Sequence, residues 1–212
     1  SWNAMISIYI QYGFPYEAFH CFKQMVHDGF VPNSVTFSSL LKVCSTIGCL
    51  QMGEEIHEHI KKKDLFRKDI VLSTSLVDMY VKCGKMKRAQ EIFDELPNRD
   101  IVSWTALISG FVENGYADIG LVYFKKMQIE GVAPNAVTFI YGLKACGLIG
   151  ALDTIKELYI VIEREGLLER EINVGNTLVY AYAKCGCLLE ACEVFNNLPQ
   201  PNVMSWASLI GG

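Results

Sequence analysis

The chain repeats itself at a spacing of 102 residues, and this property most narrowly limits what it can fold into. Ser1-Trp2-Asn3-Ala4-Met5-Ile6-Ser7 returns as Ser103-Trp104-Thr105-Ala106-Leu107-Ile108-Ser109, and again as Ser205-Trp206-Ala207-Ser208-Leu209-Ile210-Gly211. Val31-Pro32-Asn33-Ser34-Val35-Thr36-Phe37 is echoed by Ala133-Pro134-Asn135-Ala136-Val137-Thr138-Phe139, and Lys82-Cys83-Gly84 by Lys184-Cys185-Gly186. No insertion disturbs the register. Self-similarity at a fixed period marks a stacked array, in which each repeat buries its apolar face on its neighbours. Such an array offers one long groove rather than one pocket, so function is sought at positions that recur.

The period divides further at turn signals. In 101–135, Trp104, Leu107, Ile108 and Phe111 share one helix face by their spacing. Gly115 supplies a turn, Leu121, Phe124 and Met127 fall in a second helix, and Gly131 with Pro134 ends it. Boundaries set this way give repeats 1–33, 34–69, 70–100, 101–135, 136–171 and 172–202, with a stub at 203–212. The fold expected is all-α, an array of helix-turn-helix repeats. The first repeat lacks two residues and the last stops early, so the register implies a segment of a longer array.

Hydrophobic residues make up 51% of the chain, which suits helices with two buried faces each. No apolar run approaches the ~20 residues that span a bilayer, and no membrane association is expected. The net charge of −4 argues against simple polyanion binding, but the charge is unevenly spread. Between 61 and 88, Lys61, Lys62, Lys63, Arg67, Lys68, Lys82, Lys85, Lys87 and Arg88 face only Asp64, Asp69 and Asp78. This stretch reads either as a phosphate-facing surface or as the solvated face of two helix ends.

The residues carry a specific resemblance. Val102-Ser103-Trp104-Thr105-Ala106-Leu107-Ile108-Ser109-Gly110, closing on Val132-Ala133-Pro134-Asn135, resembles the standard unit of the plant pentatricopeptide repeat family. Val35-Thr36-Phe37 through Val43-Cys44 to Gly53-Glu54-Glu55-Ile56-His57 resembles its long unit. Leu76 through Gly84, followed by Ala89 through Pro97, resembles its short unit. The subclass implied is the one alternating standard, long and short units (PLS), and the fold implied is a right-handed α-solenoid.

The resemblance implies single-stranded RNA binding, one base per repeat. The implied readers are the fifth residue of each repeat's first helix and the repeat's last residue. Carried over, the pairs are Asn3 with Asn33, Ser38 with Asp69, Thr74 with Asp100, Thr105 with Asn135, and Asn176 with Asn202. Ile140 with Glu171 fits no pairing of the family, and that repeat is expected to be a spacer. The implied target is pyrimidine-G-G-A-any-pyrimidine. An aliphatic second residue is implied to sandwich each base: Val35, Val71, Val102 and Val137 match, and Asn173 departs. Asn33, Asp69, Asp100, Asn135 and Asn202 also stand just before helices, where such residues cap.

Other chemistries find less support. Cys44 recurs as Cys146 and Cys83 as Cys185, so these cysteines are repeat positions that pack as small hydrophobes. Cys185-Gly186-Cys187 lacks a second dicysteine for a zinc knuckle, and His57 and His59 would point ~200° apart on a helix. No metal, cofactor or catalytic residue is expected, and reduced thiols fit an intracellular or organellar compartment. The resemblance implies a mitochondrial or chloroplast protein recognising RNA sites for editing or processing, with a processing protein as a further partner. The competing reading is a scaffold that holds a protein partner in the groove.

Overall fold

The computed structural model describes residues 1–63, 65 and 69–211, among which there are fourteen α-helices and no strand. They are α1 (Trp2–Gln11), α2 (Pro15–His27), α3 (Ser34–Ile47), α4 (Leu50–Lys62), α5 (Ile70–Lys82), α6 (Met86–Asp94) and α7 (Ile101–Glu113). After these come α8 (Ala117–Ile129), α9 (Ala136–Ile149), α10 (Leu152–Arg164), α11 (Leu167–Arg170), α12 (Ile172–Lys184), α13 (Leu188–Asn196) and α14 (Val203–Ile210). The chain divides into two compact bodies, Ser1–Leu107 and Ile108–Gly212.

Short polar side chains start the first helix of most hairpins. Asn33, Asp69, Asn135 and Asn202 lie in extended backbone, and each accepts the N–H three residues on, at Thr36, Leu72, Thr138 and Ser205. Asp100 accepts the Ser103 N–H at 2.9 Å. Each cap satisfies a donor the helix leaves orphaned and contributes about 1 kcal/mol. Glycine stops α5 and α12, where Gly84 and Gly186 take φ of 70° and 74°. Lys85 N–H then reaches the Tyr80 carbonyl at 2.8 Å, and Cys187 N–H the Tyr182 carbonyl at 3.0 Å. That closure needs a left-handed residue, which glycine enters without a Cβ clash.

In the N-terminal body α1, α3 and α5 pack side by side, each paired with its own second helix, α2, α4 or α6. In the C-terminal body α12 lies between α9 and α14. Rows of first helices set their opening turns, and so the fifth residues, beside one another within each body. Aromatic rings lock successive hairpins. Trp104 is fully buried with its ring 4.7 Å from Phe93, and the pair recurs 102 residues on as Trp206 and Phe195 at 4.6 Å. Leu107, Ile108 and Phe111 are buried with Trp104, as their spacing predicts. Cys44 and Cys146 are buried, and burial pushes both thiols up to about 12, consistent with a packing role.

One buried polar pair stands apart from the apolar core. His57 Nδ1 lies 2.9 Å from Tyr80 Oη, with the rings edge to face. Burial, reinforced by the Arg88 charge, holds the imidazole below its usual 6.5. The unfolded chain therefore takes up this proton first as pH falls. Stability from the neutral histidine is full above about pH 6.5 and declines below it, by at most ~1.4 kcal/mol per pH unit. Melting curves at pH 7.5 and 5.5 should show this loss, and His57→Gln should flatten it. Separately, Asn135→Ala should lower the melting temperature by about 2–4 °C through the lost cap, whereas Asn135→Asp should not.

Candidate nucleic-acid interface

The cap at each repeat junction uses one side-chain atom and leaves another. Asn33 Oδ1 accepts the Thr36 N–H at 3.0 Å, so its oxygen is turned inward and its amide nitrogen outward on an exposed residue. Asn135 and Asn202 do the same through Thr138 N–H at 2.9 Å and Ser205 N–H at 3.0 Å. Asp69 and Asp100 cap through one carboxylate oxygen, at 3.1 Å and 2.9 Å, leaving the second oxygen as an acceptor. An asparagine at the junction therefore offers a donor, and an aspartate an acceptor.

In the N-terminal body a cavity of about 480 Å³ is lined by Ser38, Thr74 and Asp100 together with Val71 and Val102. Three expected readers and two expected sandwiching valines thus converge on one space. Asp69 is not among the lining residues. Ser38 Oγ is buried and has no hydrogen-bond partner, an unusual state for a native polar atom. Lys42 and Asp78 also line the cavity, one helical turn beyond Ser38 and Thr74. Sequence reasoning missed this pair, which the four-residue spacing from each reader could have revealed. Val35, Val71, Val102 and Val137 are 68%, 66%, 59% and 47% exposed at the second residue of their helices. At these four positions an exposed valine presents an apolar surface, whereas the same position of α12 is Asn173.

Asn3 and Asn33 meet at a third residue that sequence reasoning overlooked. Thr36 Oγ1 lies 2.7 Å from Asn3 Oδ1 and 2.8 Å from Asn33 Oδ1. In the C-terminal body Ser205 Oγ lies 2.7 Å from Asn176 Oδ1 and 3.2 Å from Asn202 Oδ1. Asn176 differs from the expectation of an open reader: it is only 5% exposed, and its Nδ2 is buried without a partner. Thr105 donates its hydroxyl proton to the Ile101 carbonyl at 2.6 Å. Glu171 makes no side-chain cap, and the Ile140 side chain carries no polar atom, so that repeat lacks a capping junction residue and a polar fifth residue.

Among the described residues, the basic side chains of the 61–88 stretch do not line the cavity. Lys61, Lys62 and Lys82 sit in the last turns of α4 and α5, and Lys85, Lys87 and Arg88 around the start of α6. Lys82 is about 12 Å along α5 from Thr74 at 1.5 Å per residue. Arg88 is paired with Glu91 at 2.9 Å. Asp64, Arg67 and Lys68 lie outside the described residues. His57 and His59 go to separate partners, Tyr80 and the edge of the Phe22 ring. Among the described residues no three His, Cys, Asp or Glu side chains are grouped as metal ligands, and no helix is long and apolar enough to cross a membrane.

Known proteins share this repeat. The PPR repeat family matches residues 1–46 and 99–147, and the PPR repeat matches 35–65, 71–101 and 176–200. The chain is similar to "Pentatricopeptide repeat-containing protein At4g18520, chloroplastic" of Arabidopsis thaliana, 35% identical over 100% of this chain and 34% of that protein. It is also similar to "Putative pentatricopeptide repeat-containing protein At3g13770, mitochondrial" of the same plant, 37% identical over 100% of this chain and 33% of that protein. The chain spans about a third of the length of these relatives. Its structure is similar to that of the pentatricopeptide repeat protein PPR10 in complex with an 18-nt psaJ RNA element, with a TM-score of 0.82 at 24% identity over 99% of this chain and 32% of that one. PPR10 from maize gives a TM-score of 0.71 at 19% identity, over 99% of this chain and 31% of that one. These likenesses show the fold, an all-α solenoid of helical hairpins. With repeat matches over most of its length, the chain belongs to the pentatricopeptide repeat family.

Proposed function

We propose that this chain binds single-stranded RNA sequence-selectively, one base per repeat, through the fifth residue of each first helix and the last residue of each repeat. The observation that carries the reading is the cavity in which Ser38, Thr74 and Asp100 meet between Val71 and Val102. Guanine presents a ring N–H donor, which the free oxygen of Asp100 accepts, and a carbonyl, to which the Thr74 hydroxyl donates. Valines on either side give the base an apolar sandwich, and stacking in single-strand binders contributes about 1–3 kcal/mol per base. A junction asparagine offers N–H instead and suits bases whose ring nitrogen accepts, adenine or cytosine. Thr105 and Asn135, paired by sequence register, are assigned adenine on that basis.

The full target proposed is pyrimidine-G-G-A-any-pyrimidine, with the Ile140/Glu171 repeat as a spacer or a contact for a processing protein. Repeat lengths in the sequence support the subclass of standard, long and short units. PPR10 has been solved with an RNA element, and relatives carry chloroplastic and mitochondrial names. On this basis we place the parent protein in an organelle, recognising RNA sites for editing or processing.

The test is fluorescence anisotropy with a labelled RNA carrying UGGAAC, compared with single-base variants. Asp100→Asn should keep the cap and the fold but exchange an acceptor for a donor. Preference at the second G should then move to A by about tenfold, the scale of one mismatched hydrogen bond. Equal affinity for every sequence, before and after the change, would overturn coded reading and favour a protein-binding scaffold.

A further inference from the structure

The repeat that lacks a polar fifth residue and a capping junction carries two aromatic rings instead. At a helical step of about 100° per residue, Val137, Tyr141 and Lys144 share one face of α9, and Asn173, Tyr180 and Lys184 the matching face of α12. These helices pack against each other in the C-terminal body, as α3 and α5 do in the N-terminal body. The 102-residue register identifies that face. Tyr141, Lys144 and Tyr180 correspond to Ser39, Lys42 and Asp78, and those three line the cavity of the N-terminal body. Between the two copies the lysine is kept. Ser38 and Asp69 become Ile140 and Glu171, while Ser39 and Asp78 become tyrosines. Groups that could read a base edge are thus exchanged for flat rings.

Both rings are held in place without being packed away. Tyr141 is half-buried, and its hydroxyl donates to the Glu113 carboxylate at 2.6 Å, a bond from α9 to the first helix of the preceding repeat. Burial, then that carboxylate, push the hydroxyl up to about 12, so it stays a neutral donor and tethers the ring. Tyr180 is half-buried as well. Among the described residues neither ring joins the ring-to-ring contacts that lock the hairpins. Each has a lysine instead: Lys144 Nζ lies 6.0 Å from the centre of the Tyr141 ring, and Lys184 Nζ 5.5 Å from that of Tyr180. Among the described residues neither lysine is in an ion pair, so both charges remain for an anion. Aromatic faces beside unpaired cations match the two parts of a single strand, its bases and its phosphates.

We propose that Tyr141 and Tyr180 hold the fifth base of the RNA by stacking, with Lys144 beside the adjoining phosphate, so that this repeat binds a base without reading its edge. Every base has a π face, so the position accepts all four and still adds affinity. The inference rests on the RNA reading above, and it puts a stacking step where that reading allows an empty spacer.

The experiment compares binding of the chain to RNA carrying UGGAAC and to the same RNA with an abasic nucleotide at the fifth position. A change of the third base from G to C is the internal control. Removing the fifth base should cost the unmodified chain about tenfold in affinity. In Tyr141→Leu that cost should shrink to about twofold, because the ring and the base act as one pair. Tyr141→Phe, which keeps the ring and drops the Glu113 bond, should restore the cost. Tyr180→Leu makes the same test from α12, should Tyr141→Leu fail to fold. With 2-aminopurine as the fifth base, binding should quench its emission in the unmodified chain and quench it less in Tyr141→Leu. If base removal costs nothing while the third base is still read, the repeat is a spacer and this inference falls alone. It falls alone too if the cost is the same in both leucine variants as in the unmodified chain, since the base is then held elsewhere. A chain indifferent to the third base as well as the fifth overturns the RNA reading and this inference with it.

Discussion

Much of this structure depends on a single kind of hydrogen bond, from the third backbone N–H of a first helix to the Asn or Asp side chain before it. That bond starts the helix, and it consumes one of the two polar atoms on the capping side chain. The remaining atom is fixed in chemical kind, an amide nitrogen that donates on asparagine or a carboxylate oxygen that accepts on aspartate. Stability and presentation thus come from one residue, and the two roles do not compete. A junction residue changed from Asn to Asp keeps its cap while inverting what it shows to the groove.

Around those junctions the core performs a simpler task. The Trp104–Phe93 and Trp206–Phe195 pairs tie α7 and α14 to the hairpin before them, one residue away from a fifth position. With α3 against α5 and α9 against α12, successive first turns are held side by side. Burial of Trp104 and exposure of Val102, two residues earlier on the same helix, follow from one rotation of that helix. The face that packs and the face that could meet a base are therefore set together.

Much of this was legible in the residues. The 102-residue register, the helical faces and the caps follow from spacing and from side-chain chemistry that acts over three or four residues. Candidate readers were named from the family resemblance, at positions that recur at one phase. Less legible were contacts that join residues some thirty positions apart. Thr36 meeting Asn3 is one case, and Lys42 and Asp78 entering one cavity from α3 and α5 is another. Recurrence of Thr36 as Thr138, and of Ser103 as Ser205, was visible but resembled an ordinary capping residue.

The sequence by itself determined an all-helical array and the identity of each exposed polar group, because helix periodicity and capping are local. Tertiary structure decided the direction of those groups. Whether Asn176 stands open or buried, and what the Asn3 side chain meets, depends on atoms from the next repeat. A side-chain amide carries donor and acceptor on one rotatable bond, and only a partner brought in by packing can choose between them.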